Sequence, residues 1–149
     1  MAGIVESLKN AVAALFGNAA QNEQPAVDGS INGPGLFECE VVGESNYQGN
    51  LIAICGDYRP NKPDEHFATA VLVPEPQNPY DQNAVMVLLS NLQVGYLDRQ
   101  AAKSYMAHLR VKGLPSARLS VPAVVRGGWL DEDGKVRMYG VCLDLEVRA

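Results

Sequence analysis

The chain has 149 residues, of which 47% are hydrophobic and 19% charged, with a net charge of −5 at pH 7. That length suits one domain of about 100–200 residues, able to bury roughly 68–70% of its unfolded surface in a core that needs no staples. The balance excludes wholesale disorder, and no stretch approaches the ~18 apolar residues of a membrane span.

The first residues, Met1 to Glu6, carry no basic run ahead of the apolar stripe, so no secretory leader is expected. Residues 4–16 place Ile4, Val5, Leu8, Ala11, Val12, Leu15 and Phe16 on one face at helical spacing. An amphipathic helix is expected there, marginal alone in water and too poor in bases for a membrane surface. Its expected use is docking, on its own domain, a second copy or a protein partner. Residues 17–35, rich in Gly, Asn, Gln and Pro, predict a flexible linker, which leaves 36–149 as the folded domain.

Within that domain, Phe37, Cys39 and Val41 alternate with Glu38 and Glu40, predicting a half-buried strand that ends at Gly43. Asn50 is suited to cap a short helix over 51–54 that stops at Gly56. Residues 57–65, with two prolines and five charges, predict an exposed loop. Strands follow over 67–73, 83–89 and 93–97, the last two joined by a turn at Ser90-Asn91. A helix is expected over 99–111, with Asp98 as N-cap and Gly113 just past its end. Longer strands over 117–126 and 135–147 are joined through Gly127-Gly128 and Asp133-Gly134, and Pro122 argues for an edge or a bulge. These elements predict the α+β class: a small, strongly bent, OB-like β-barrel of about six strands with two short helices, plus the N-terminal helix.

Charge is unevenly spread. Residues 36–98 hold nine acids against Arg59 and Lys62, whereas 99–149 hold nine bases against five acids. Between 99 and 130 stand Arg99, Lys103, Arg110, Lys112, Arg118 and Arg126 with no acid among them. Such a run is either a solvated face or a footprint for phosphate.

Catalytic and cofactor signals are weak. Gly128 to Lys135 has five residues between its glycines and Val136 where a phosphate loop needs Ser or Thr, so it reads as a hairpin. Asp64-Glu65-His66 are adjacent in a proline-rich loop and seldom converge on one ion. Three cysteines, Cys39, Cys55 and Cys142, form no C-x-x-C pair and lie far from His66 and His108. They read as buried thiols of a reducing cytoplasm, and neither zinc nor another cofactor is expected. Cys55, within an apolar run, reads as a buried thiol before a nucleophile. Trp129 is either a partner-binding anchor or a cap on the core.

The most informative string is Asn78-Pro79-Tyr80-Asp81-Gln82-Asn83-Ala84-Val85. Turn chemistry explains the proline and the Asx residues. It does not call for Tyr80, a large aromatic beside a carboxylate at a loop tip. The second string, Val94-Gly95-Tyr96-Leu97-Asp98-Arg99, runs from a strand into a capped helix, where Arg99 opposes the helix dipole.

With Val41-Val42-Gly43-Glu44-Ser45-Asn46-Tyr47 upstream and Ala101-Ala102 downstream, these strings resemble the HIRAN family over roughly residues 36–112. The chain is more similar to the family's small stand-alone bacterial proteins than to its helicase-linked members. The resemblance implies a non-enzymatic OB-like module that captures the 3′ end of single-stranded DNA, with DNA repair as its setting. By position it implies Tyr80 as the base-stacking aromatic and Asp81 as the acceptor of the terminal 3′-hydroxyl, with Tyr96 and Arg99 on the strand backbone. Ser45 and Asn46 stand where end-binding relatives carry an arginine and an aromatic, and Tyr47 alone keeps the aromatic character. Two alternatives stay open: a protein-interaction module using the barrel and the N-terminal helix, and an accessory to a helicase or hydrolase acting on acid anhydrides.

Overall fold

A computed structural model describes residues 26–146, and the expected N-terminal helix over 4–16 lies outside them. The chain forms β1 (Gly29–Ser30), β2 (Cys39–Val42), α1 (Gln48–Cys55), β3 (His66–Pro74), β4 (Val85–Leu89) and β5 (Leu92–Leu97). It continues through α2 (Arg99–Val111), β6 (Leu119–Arg126), β7 (Trp129–Leu130), β8 (Val136–Arg137) and β9 (Gly140–Leu143).

Six strands close on themselves in the order β6, β3, β4, β5, β2, β9 and back to β6, every adjacent pair antiparallel. Strand periodicity sends alternate residues inward. Leu72, Val85, Val87, Leu89, Val94, Leu97, Val121, Val125, Val141 and Leu143 accordingly share one core. The barrel expected from the sequence is therefore present.

Helix α2 begins and ends where its residues dictate. The Asp98 carboxylate accepts the Ala101 N–H at 2.7 Å. At the other end the Gly113 N–H donates to the Arg110 carbonyl and the Leu114 N–H to the Leu109 carbonyl, the paired bonds of a glycine-terminated helix. Between them Ala101, Ala102, Tyr105, Met106 and Leu109 are buried on one face.

Other boundaries shifted for identifiable reasons. β2 starts at Cys39 because Phe37 has φ 51°, with its ring edge-on to Phe67 at 5.6 Å. α1 starts at Gln48 after a 3-10 turn over Glu44–Asn46, and its N-cap Tyr47 makes no side-chain capping bond. Asn50 cannot serve as the cap, since its amide donates to the Gln93 carbonyl at 2.8 Å. The strand expected over 135–147 breaks into β8 and β9, with β7 and β8 forming a separate two-stranded sheet. Gly127 and Gly128, at φ 86° and 85°, turn the chain out of the barrel, and a Cβ on Gly128 would strike the Tyr139 ring. Pro122 marks neither an edge nor a bulge. It stands opposite Thr69 where the far side of β6 passes from β1 to β9, a gap in which no N–H is needed.

The expected linker over 17–35 requires correction in its described part. β1 pairs in parallel with Leu119 and Ser120, and the Asp28 carboxylate accepts the Arg118 N–H at 2.8 Å. Beyond it, the Gly33 N–H donates to the Asp144 carbonyl and the Gly35 N–H to the Asp144 carboxylate, each at 2.7 Å. Asp144 is buried. The strap gives this largely buried carboxylate a backbone donor, and these bonds hold the Gly- and Asn-rich segment to the barrel.

Truncation tests that correction: a chain lacking 1–35 should melt several degrees below one lacking 1–25, having lost roughly 1–3 kcal/mol of backbone and Asp144 bonding. Equal midpoints would show that the strap contributes nothing. Gly95 tests barrel closure. A Cβ there would meet the Val41 side chain and the Val42 carbonyl, so Gly95→Ala should cost about 1–3 kcal/mol by overpacking in a denaturant titration.

Candidate nucleic-acid interface

The loop between β3 and β4 is built from nested turns. Glu75 N–H donates to the Ala84 carbonyl at 2.9 Å and closes the base of the loop. Inside it, Asn78 Oδ1 accepts the N–H groups of Tyr80 at 2.9 Å and Asp81 at 3.1 Å. Asp81 Oδ1 accepts the Asn83 N–H at 2.9 Å. These Asx bonds replace strand pairing at the tip, and Arg110 of α2 donates to Asn83 Oδ1 at 2.7 Å, tying the loop to the helix. The backbone is held, while the Tyr80 ring is left 89% exposed.

Tyr80, Asp81, Tyr96 and Arg99 come together around an open groove of about 870 Å³, which Glu75, Pro76, Gln77, Asn78, Pro79, Ala84 and Leu97 complete. Asp81 uses one oxygen in its turn and presents the other, Oδ2, to Arg99 Nε at 3.9 Å. The arginine side chain is 82% exposed, and so long and solvated a pair is weak. Both partners remain free to meet a ligand.

Burial raises the Tyr96 hydroxyl above its ordinary range, and the nearby Glu75 carboxylate adds to the effect. Tyr96 therefore stays protonated and can donate. Tyr47 lies outside the groove lining, at the start of α1, close enough to Tyr96 to act on its hydroxyl. Ser45 and Asn46 are exposed in the turn before it. The residue that sequence reasoning missed is Glu75. Its only signal was a carboxylate set between Pro74 and Pro76 at the mouth of the hairpin.

The grouping offers an aromatic face for stacking, carboxylates that accept from a hydroxyl and repel a phosphate, and a guanidinium and a phenol that donate to phosphate. No cysteine lines it. Burial pushes the Cys39 thiol up to about 11 and raises Cys55 and Cys142 as well, so all three stay protonated. Glu65 is engaged by Arg126. Among the described residues no group of His, Cys, Asp and Glu is arranged to hold a metal ion. The Gly128–Lys135 stretch is the β7–β8 hairpin, and Trp129 is half-buried with Lys62 Nζ at 5.7 Å from its ring.

Residues 34–117 match the family model of the HIRAN domain. The chain belongs to the HIRAN family. HIRAN domains are nucleic-acid-binding modules, without a catalytic role of their own. The match takes in the whole groove and α2, whereas all of β6 and β9, which close the barrel, lie beyond it. Among solved structures, the chain is similar to the crystal structure of the HIRAN domain of human HLTF, at 19% identity and a TM-score of 0.33, over 70% of this chain and 71% of that one. No curated protein matches it. Among the described residues of this HIRAN protein, no helix is long and apolar enough to cross a membrane.

The loop geometry separates scaffold from contact surface. Asn78→Ala removes the acceptor of two backbone N–H groups and should cost about 1–2 kcal/mol in thermal melts. Tyr80→Ala, at an exposed ring, should stay within about 0.5 kcal/mol of the wild type. A large loss of stability in Tyr80→Ala would show that the ring belongs to the turn and is not held out for a ligand.

Proposed function

We propose that this HIRAN protein binds single-stranded DNA at a free 3′ end, without catalysing a reaction on it. The observation that carries the reading is the exposed Tyr80 ring beside Asp81, whose free carboxylate oxygen faces Arg99 across an open groove. The terminal base stacks on Tyr80, an interaction worth about 1–3 kcal/mol whatever the base. Its 3′-hydroxyl donates to Asp81. The preceding phosphate accepts from Arg99 and from the Tyr96 hydroxyl, with Tyr47 behind Tyr96 at the margin of the site. Glu75 adds negative charge where a terminal phosphate would otherwise sit, so the groove favours hydroxyl ends.

Binding of this kind is weak in a chain of net charge −5 and falls with salt. That suits a module that samples exposed ends, as in DNA repair, inside a reducing cytoplasm where Cys39, Cys55 and Cys142 remain free thiols. The barrel and its groove form the functional unit, and residues 4–16 are left for docking to another surface.

Titration of fluorescent oligonucleotides ending in a 3′-hydroxyl or a 3′-phosphate tests the site. Tyr80→Ala should weaken binding by about 1–3 kcal/mol for any terminal base. Asp81→Asn should narrow the preference for hydroxyl over phosphate ends while affinity for the phosphate end holds or rises. If Asp81→Asn discriminates as the wild type does, the hydroxyl is read elsewhere. Nucleotide hydrolysis, with or without DNA, should be absent from purified protein, and turnover that survives further purification would overturn the non-enzymatic reading.

A further inference from the structure

Arg99, the first residue of α2, lines the groove, and that helix carries no acid along Arg99–Val111. Its buried face is apolar. On the exposed side, Arg99, Lys103 and Arg110 lie within about 40° of one another around the axis, given 100° per residue. All three are exposed, and so is Ala107 between them, whose small side chain keeps the surface low. Arg110 marks the far end of this stripe and, through Asn83, is bonded to the same loop that presents Tyr80 and Asp81. The stripe and the groove are therefore one continuous surface.

The other flank of the helix start is different in kind. There Asp98 lines a depression together with Glu38 and Glu40, and a chain of phosphates would be repelled. A strand whose end is seated by Tyr80 and whose first phosphate passes Arg99 has an acid-free path along α2.

Resting on the reading of the groove as a 3′-end site, we propose that α2 is a phosphate track. It carries the strand 5′ of the seated end past Lys103 to Arg110. The ligand is then a single-stranded 3′ overhang of several nucleotides, in preference to a mononucleotide, a dinucleotide or a blunt end. The helix advances ~16 Å from Arg99 to Arg110, which at a stacked spacing of ~3.4 Å per nucleotide covers about five phosphates. Polarity follows, since the end is anchored beside Arg99: the strand runs 3′ to 5′ from the N-terminus of α2 toward its C-terminus.

The test is fluorescence anisotropy with 5′-labelled oligothymidylates, a dinucleotide and an octanucleotide, both ending in a 3′-hydroxyl, between about 50 and 200 mM salt. The wild type should bind the octanucleotide more tightly and with a steeper salt dependence. Lys103→Glu, a change on the solvent face, should keep the wild-type melting midpoint and its dinucleotide affinity. It should bind the octanucleotide about tenfold more weakly, with a salt slope lower by about 0.7. If Lys103→Glu weakens both ligands alike, or neither, α2 is not the track. Equal wild-type affinity for the two lengths would also overturn the track while leaving the end site standing. Failure of the wild type to bind either strand at low salt would overturn the end site, and the track with it.

Discussion

β9 has four residues, yet it pairs with β2 on one side and β6 on the other, and by doing so closes the barrel. Closure removes the open edges that an antiparallel sheet would otherwise expose. It also fixes what the interior can hold. Eight strands leave a lumen just wide enough for side chains or one small ligand, and the six strands here are filled by Val, Leu and Ala. A ligand must therefore be met on the outside. The groove proposed for it lies on the β3–β4 loop and the start of the helix beside it, where polar groups remain in water.

The rigidity of that loop comes from small polar side chains acting on the backbone. Asn78 and Asp81 take up N–H groups that have no strand partner, and Arg110 anchors Asn83 from α2. A large aromatic ring is costly to hold in water unless its backbone is already ordered. Here the backbone is ordered without a ligand, which lowers the entropy cost of the base stacking proposed for Tyr80.

Electrostatics then sorts the surface. The acids of residues 36–98 and the bases that follow are separated along the chain, and folding turns that separation into neighbouring territories. Glu38, Glu40 and Asp98 lie on one flank of the α2 start, and Arg99, Lys103 and Arg110 run down its exposed face. The net charge is thus a poor guide to the partner. Potential near a phosphate is set by charges within about a Debye length, ~8–10 Å, and at that range α2 is basic.

Much of this was legible in the residues themselves. Alternating apolar side chains located the core strands, Asp98 and Gly113 bounded α2, and the Asn78–Ala84 string announced a turn carrying an aromatic that the turn did not require. Those features are local, written in spacing and in side chains that act on their own backbone. Tertiary structure alone decided the rest. It showed that Glu75 joins the groove and that Tyr47 stands outside it, that residues 28–35 strap onto β6 and Asp144, and that Pro122 fills a gap between two partners of β6. It also split the last strand at Met138-Tyr139, against which the Gly127-Gly128 turn packs. Each of these depends on a partner distant in sequence, and only the closed barrel brings such partners together.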